Sequence, residues 1–402
     1  MLKFINLHLL FALFLGVDTL LLISAISDLS ISYHEAQIFF QKNSSIHHLI
    51  HLSTSLFGQN NFALRLPMIL LHVMSVILLY MISKPYIRYE RDRLWLIIVY
   101  MLLPGINSVA LLVDDAGLIL FFVLLYIYLK QHYKNLAYFL LPFLMLIHSS
   151  FMFLYLGLAF FAYENDKRKL FIANTLLFIA TLLIYGFDVS GAPQGQFLDT
   201  LGIYAVIFSP IVFLYLFYIL YRRTITGPRD ELFYIATVTF VLSLLLSFRQ
   251  RVEISIFAPY LMLALPLAMQ NFFHSYRVRL RQFRTKYRVI FFISFALLIL
   301  NAMSVFLNKE IYYFLKNPKD HFAYRLHVAD DLADKLKQNG ITCLTCKDNQ
   351  MQLRLKFYGI SKCDKYTLNS DKYDKNGIDV TIFHKDLILY RASVTKAHKK
   401  KI

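Results

Sequence analysis

Acidic residues occupy two short polar stretches that interrupt long apolar runs. Glu35 lies in the first stretch, after Tyr33 and His34, and Asp114 and Asp115 lie in the second. A positioned carboxylate can take a proton from a hydroxyl or an amine while a leaving group departs. Two adjacent carboxylates at a membrane boundary repel each other and lose solvation, so a purely structural role needs a partner. These residue types indicate general acid–base chemistry.

Each acid also has a structural interpretation. Glu35 fits the first turn of a short surface helix over Tyr33–Lys42, where acids favour the positive helix end. Asp115 fits a helix N-cap before Ala116. The structural and chemical interpretations are compatible for a cap, because it uses one carboxylate oxygen and the other can face a cavity.

Three arginines are predicted on the same side of the membrane as these acids. Arg65 opens an apolar run, and Arg249 and Arg251 share one five-residue turn. Guanidinium groups bind phosphate through paired hydrogen bonds and can stabilise a phosphate leaving group. The alternative is a snorkelling contact with lipid phosphates, which suits Arg65 better than two arginines on one turn.

Other chemistry-bearing residues carry weaker signals. His47, His48 and His51 have the spacing of metal ligands but lack a third ligand nearby, so a divalent metal is left open. Asp18 lies within the first apolar run, where an acid is a functional candidate. The three cysteines, Cys343, Cys346 and Cys363, include a C-x-x-C pair that favours a structural disulfide over redox catalysis.

The composition of the chain indicates a membrane protein. Of the 402 residues, 58% are hydrophobic and 17% are charged, against about 25% charge in soluble domains. This excludes a cytosolic enzyme, a secreted disulfide scaffold and a disordered chain. The net charge of +17 fits cytoplasmic loops that obey the positive-inside rule. Nucleic-acid binding is not expected, because the basic residues form short clusters between apolar runs.

Apolar runs predict about eleven transmembrane helices. Their approximate limits are Asn6–Ile26, Ala63–Ile82, Leu94–Val113, Ala116–Leu129, Leu136–Ile147, Phe151–Ala162, Leu170–Phe187, Leu201–Tyr221, Leu232–Phe248, Ile254–Phe272 and Val289–Leu307. A break at residues 148–150 keeps the basic loops on one side, so the N-terminus is predicted to be cytoplasmic and the C-terminal tail extracytoplasmic.

We therefore predict an all-α polytopic membrane domain over residues 1–308, with an exterior loop over 27–62. A small extracytoplasmic α/β domain follows over residues 309–402. In this tail the pattern predicts an amphipathic helix over Tyr324–Gln338 that ends at Asn339-Gly340. The predicted strands are Ile341–Leu344, Leu353–Tyr358 and Ile378–Phe383.

The order of motifs resembles that of C-type (GT-C) membrane glycosyltransferases. The motifs are Tyr33-His34-Glu35-Ala36, then Leu56-Phe57-Gly58, then the stretch 61–67 that ends in Arg65-Leu66-Pro67, and then the acidic stretch 113–118. The similarity is to the branch with dolichyl-phosphate-mannose protein mannosyltransferases and bacterial aminoarabinose lipid A transferases. It covers roughly residues 29–133, and the later helices agree in layout only.

The resemblance implies a glycosyltransferase at the outer face of the cytoplasmic (inner) membrane. It would use a polyprenyl-phosphate sugar donor and a glycolipid, glycan or protein acceptor, in contact with membrane lipids. By motif position Glu35 matches the acid of the first loop and Asp115 that of the second, while Arg249 or Arg251 matches a donor-phosphate contact by layout. His34 stands where the family has its leading Asp, so the base is Glu35, His34 or Asp115.

Two other functions remain open at this stage. A transporter or flippase for an amphipathic glycolipid would show broken helices and polar residues at mid-membrane, whereas here the polar groups cluster at one edge. An assembly factor with an altered site is suggested only by His34. The enzyme hypothesis predicts that Glu35, Asp115 and an exterior arginine meet in one cavity.

Overall fold

The computed structural model describes residues 7–41, 44–186, 195–370 and 377–396. The predicted ends at Asn6, Lys42 and Phe187 lie outside these residues. The chain forms two compact units. The helical unit takes 1–20, 68–110 and 114–305, and the mixed unit takes 21–67, 111–113 and 306–402. The mixed unit thus joins most of the predicted exterior loop to the tail, while the division at residue 308 stays a prediction.

Most of the described chain is α-helical. The helices are α1 (Leu7–Ser27), α2 (Tyr33–Phe40), α3 (Ser45–Phe57), α4 (Asn61–Ile82), α5 (Glu90–Met101), α6 (Pro104–Leu111), α7 (Asp115–His132), α8 (Lys134–Ile147), α9 (Phe151–Glu164), α10 (Arg168–Tyr185), α11 (Phe197–Phe208), α12 (Pro210–Thr226), α13 (Glu231–Ser247), α14 (Ile254–Leu261), α15 (Ala264–Val278), α16 (Arg284–Phe306), α17 (Ala329–Gln338) and α18 (Asn349–Phe357).

The predicted apolar segments all coincide with these helices. Within the described ranges, six helical stretches are long and apolar enough to cross a membrane, two bent pairs pass the same test together, and three shorter helices are apolar. The break predicted at residues 148–150 is present, since α8 ends at Ile147 and α9 begins at Phe151. The membrane fold predicted from the sequence is confirmed.

Two predicted segments are bent rather than straight. The pair α5–α6 bends by 62° and the pair α11–α12 by 109°. In each pair the second helix begins with a proline, Pro104 or Pro210. Proline lacks the backbone N–H and disfavours helical geometry in the residue before it, which ends one helix and starts another. Ser209 at the second bend has a positive φ of 64°.

The mixed unit contains a four-stranded sheet of order β1-β2-β4-β3. The strands are β1 (Thr345–Cys346), β2 (Tyr366–Ser370), β3 (Ile378–His384) and β4 (Leu387–Lys396). The β1–β2 pair is parallel and the others are antiparallel. Buried apolar side chains of α17, α18 and the sheet form one core. The small α/β module is confirmed, with β3 near its predicted place.

Several elements of this module differ from prediction. The strand predicted over Leu353–Tyr358 is wrong, because this stretch belongs to α18, which Asp348 caps through Gln350 N. Its alternation of apolar and basic residues imitates a strand, yet Met351 and Leu355 are both buried at helical spacing. The helix α17 begins at Ala329 rather than Tyr324, and β1 follows the predicted strand Ile341–Leu344. The strands β2 and β4 were not predicted.

Candidate functional site

Glu35 and Arg65 form a buried ion pair in the mixed unit. The Nε atom of Arg65 donates to Glu35 Oε1 at 2.9 Å, and its Nη2 donates to Oε2 at 2.8 Å. The two side chains are 1% and 0% exposed, respectively. Paired hydrogen bonds of this kind are strong because both groups are charged.

Further hydrogen bonds occupy both partners. Glu35 also accepts from Ser32 N, in a capping box at the start of α2, and from Val113 N. Arg65 also donates to the carbonyl oxygens of residues 29 and 30. The pair therefore ties together four backbone positions, and its geometry is that of a positioning element. The catalytic role of Glu35 and the phosphate-binding role of Arg65 stay predictions.

The neighbouring histidines are divided between surface and structure. His34 is exposed on α2. His47 Nδ1 and His51 Nε2 each lie 2.9 Å from a carbonyl oxygen of α2, at Ile38 and Phe39. These contacts join α2 to α3. In the part of the chain that is described, no group of three or more His, Cys, Asp or Glu side chains is arranged to hold a metal ion.

The acidic pair opens α7 in the helical unit. Asp114 is the N-cap, and its Oδ1 accepts from Ala116 N at 3.1 Å. Asp115 is the first helical residue, so the predicted cap is one residue too late. Both side chains are partly exposed. The cap fixes the backbone of the turn and thereby the directions in which both acidic side chains extend from it.

His148 lies next to Asp115, a contact that the sequence did not predict. Asp115 Oδ2 lies 3.8 Å from His148 Nε2. Nδ1 of His148 accepts from Ser150 N at 3.0 Å, which places the proton of the neutral ring on Nε2, facing the carboxylate. Tyr260 in turn donates to the carbonyl oxygen of Ser150 at 2.8 Å. The break at residues 148–150 was a sequence signal of this arrangement.

A cavity of about 520 Å³ opens beside the acidic pair in the helical unit. Asp114 and Arg251 both line it, together with Glu253. The other lining residues are mostly apolar and come from α6, α7, α11 and α14. Arg251 also lines a second cavity of about 610 Å³ next to α11. An apolar chamber with two carboxylates and one guanidinium suits an amphipathic, phosphate-bearing ligand.

The structure brings together some of the predicted residues. Asp114 and Arg251 share the 520 Å³ cavity, whereas Asp115 and the exposed Arg249 do not line it. Glu35 and Arg65 pair with each other in the mixed unit. The convergence of Glu35 with the acidic pair stays a prediction.

Asp18, singled out within the first apolar run, has a partner on α4. Its Oδ2 lies 2.7 Å from His72 Nε2, and both residues are buried. The ring of Tyr100 is stacked 6.3 Å from that of His72. This pairing satisfies an acid inside the helical unit, as expected for an ionisable residue in a membrane.

The apolar helices and the small sheet-bearing module fit the fold of C-type (GT-C) membrane glycosyltransferases. The solved structure of ArnT from Cupriavidus metallidurans in the apo state shares this fold. The TM-score is 0.55, the identity is 12%, and the match covers 96% of this chain and 97% of that one. At this identity the likeness is one of fold. No family model and no curated protein matches the sequence.

Proposed function

We propose that the chain is a glycosyltransferase that moves a sugar from a polyprenyl-phosphate donor to a lipid, glycan or protein acceptor. The observation that carries the proposal is the apolar 520 Å³ cavity that Asp114 and Arg251 both line. Apolar walls suit the isoprenoid, a guanidinium suits its phosphate, and a carboxylate suits the acceptor proton. The shared fold with ArnT, an aminoarabinose lipid A transferase, supports the same class of reaction.

The reaction requires one bond to form and one to break. The acceptor oxygen or nitrogen attacks the anomeric carbon of the sugar, and the bond from that carbon to the phosphate oxygen breaks. The acceptor proton passes to a carboxylate of the Asp114–Asp115 pair. The polyprenyl phosphate leaves with the bonding electrons, and Arg251 stabilises its negative charge.

The remaining candidates take supporting roles in this scheme. His148 lies beside Asp115, and Ser150 N fixes the ring with Nε2 toward the carboxylate. Glu35 and Arg65 hold Val113, the residue before Asp114 in the chain. His34 is exposed, and in this scheme it is neither base nor phosphate contact.

We place the reaction at the outer face of the cytoplasmic membrane, with a cytoplasmic N-terminus. The positive-inside bias of the loops supports this orientation. The alternative of a transporter or flippase is not favoured by the fold match. The bent pairs α5–α6 and α11–α12 contribute apolar walls to the cavity, whereas its charged side chains come from the beginning of α7 and the turn before α14, which favours surface chemistry.

The test is complementation of a deletion strain, read by mass spectrometry of its lipids and glycans. We expect the deletion to lose one sugar and to accumulate its carrier. Asp114→Asn, Asp115→Asn and Arg251→Gln should each lower transfer by about 100-fold or more, since single acid–base and charge-stabilising groups contribute that much.

Two variants serve as comparisons. Asp166→Asn changes an exposed acid and should leave transfer intact. Arg249→Gln tests which arginine of the turn acts, and we expect it to retain transfer because Arg249 does not line the cavity. Wild-type transfer by both Asp114→Asn and Asp115→Asn would contradict the proposal.

A further inference from the structure

A third cavity, which is lined by arginines, lies at the other end of the helical unit. It measures about 590 Å³ and lies between the loop before α5, the end of α12 and the end of α15. Its lining contains one acid, Asp92, and four arginines, which are Arg88, Arg222, Arg223 and Arg277. The beginning of α5 and the end of α6 are opposite ends of one bent pair. This cavity is therefore separate from the one that Asp114 lines.

The arginines of this cavity divide into anchored and accessible groups. Arg223 is buried and donates to Gln270 Oε1 at 2.6 Å and to the carbonyl oxygen of Pro228 at 3.2 Å. Arg88 and Arg222 are exposed, and Arg222 is held by Asn271 Oδ1 at 2.9 Å. Asp230 pairs with Arg223 and Asp92 pairs with Arg277. The positive charges of Arg88 and Arg222 therefore remain to bind an anion.

Arg277 links this cavity to an aromatic one. Its guanidinium pairs with the buried Asp92 and lies 4.1 Å from the ring centroid of Tyr89. Arg277 and Asp92 also line an adjacent cavity of about 280 Å³. Positive charge therefore continues from the polar cavity into its neighbour.

The adjacent cavity has aromatic walls and a basic rim. Trp95 packs edge-on against Phe291 at 5.3 Å between ring centroids, and Phe292 is 62% exposed. Arg91 and Arg288 also line it, and Arg288 Nε donates to Tyr276 Oη at 2.9 Å. An aromatic wall next to basic groups matches the boundary between lipid tails and headgroups.

From this arrangement we infer that the two cavities together bind one anionic glycerophospholipid. Its headgroup phosphate lies on Arg88, Arg222 and Arg277, and an acyl chain lies along Trp95 and Phe292. Basic pockets between transmembrane helices recognise such headgroups, and the apolar wall gives a lipid an advantage over a free anion. The inference does not depend on the proposed transferase reaction.

The experiment is native mass spectrometry of the purified full-length protein titrated with phosphatidylglycerol or phosphatidylcholine. We expect one retained phosphatidylglycerol whose apparent Kd rises at least fivefold in Arg88→Gln/Arg222→Gln. Phe292→Ala should weaken the same adduct, because it removes part of the acyl contact while leaving every charge in place. Phosphatidylcholine should bind the wild type at least fivefold more weakly.

Arg229→Gln is the matched control, because Arg229 is an exposed arginine of the loop after α12 but does not line either cavity. An equal loss in Arg229→Gln would reduce the effect to general surface charge and overturn the inference. Displacement of the lipid by millimolar inorganic phosphate would show that the cavities bind a free anion rather than a lipid, and would overturn the inference. Unchanged phosphatidylglycerol binding in the arginine double variant and in Phe292→Ala would also overturn it.

Discussion

Glu35 and Arg65 are paired so completely that each depends on the other. The carboxylate accepts four hydrogen bonds and the guanidinium donates four, and both side chains are almost fully buried. Breaking such a pair by removing one partner leaves an uncompensated buried charge. Glu35, which the sequence predicts to be catalytic, is thus also a residue on which the stability of the mixed unit depends.

Arg65→Gln should therefore destabilise the protein strongly. We expect a loss of about 3–5 kcal/mol in the free energy of unfolding, because the Glu35 carboxylate stays buried without its cation. Thermal unfolding of the purified protein measures this. Lys385→Gln breaks the exposed pair with Glu310 and should leave the midpoint unchanged. Equal midpoints for Arg65→Gln and the wild type would show that the pair is not structural.

His327 gives the mixed unit a dependence on pH. Burial lowers the pKa of His327 from 6.5 to about 3, with Lys309 and His321 adding to the effect. A base whose pKa is lower in the folded state binds protons preferentially when unfolded. Its stabilising contribution is therefore complete above pH 6.5 and is lost as the pH falls toward about 3.

Lowering the pH from 7 to 5 should therefore cost about 2 kcal/mol through His327 alone. Burial raises the pKa of Asp330 and Asp331, and these groups act in the opposite direction. The measured quantity is therefore the difference between the wild type and His327→Asn in urea titrations. Unfolding is followed by alkylation of Cys346, which is buried in the folded protein. An identical pH dependence in the two proteins would contradict the assignment.

At the scale of elements, close helix contacts depend on small residues. A Cβ atom added to Gly157 on α9 would lie 2.7 Å from the Cα atom of Ile235 on α13. Because the obstructing atom belongs to the backbone, a side-chain rotation cannot relieve the overlap. The two helices would have to separate, which is the mechanism by which overpacking destabilises a core.

Gly157→Ala should destabilise the protein by about 1–3 kcal/mol. Gly202 lies within α11 and an added Cβ would meet nothing within 4 Å. Gly202→Ala should therefore stabilise slightly, because alanine favours helix more than glycine does. Thermal unfolding of the two variants in the same detergent gives the comparison. A neutral Gly157→Ala would show that α9 and α13 do not pack this closely.

At the scale of the whole molecule, the cysteines indicate on which side of the membrane the mixed unit lies. Cys343 and Cys363 form a disulfide that closes a loop of 20 residues, and Cys346 is free and buried. Disulfides persist in oxidising compartments. The disulfide therefore supports the extracytoplasmic tail that the charge bias predicts.

The orientation predicts the behaviour of reporter fusions. Alkaline phosphatase fused after residue 402 should be active and green fluorescent protein should be dark, since the first needs an oxidising compartment and the second does not mature there after export. A fusion at residue 229, in a predicted cytoplasmic loop, should show the reverse pattern. Reversed signals at both positions would overturn the predicted topology.

The sequence alone determined the membrane class, the positions of the apolar helices and the presence of an α/β tail. Hydrophobic length and charge bias are local properties, so they can be read without knowing which helices touch. The same applies to the break at residues 148–150 and to the cap before α7, which was misplaced by a single residue. Alternation in the stretch 353–358 misled, because burial at helical spacing outweighed a local period of two.

Only the tertiary structure decided which side chains meet. The pairing of Glu35 with Arg65, of Asp18 with His72 and of Asp115 with His148 joins residues that are 30 to 54 positions apart. Partners of this kind are selected by the packing of whole helices, and no local pattern encodes that choice. For the same reason Arg251 lines the cavity and Arg249 does not, although the two lie on one turn.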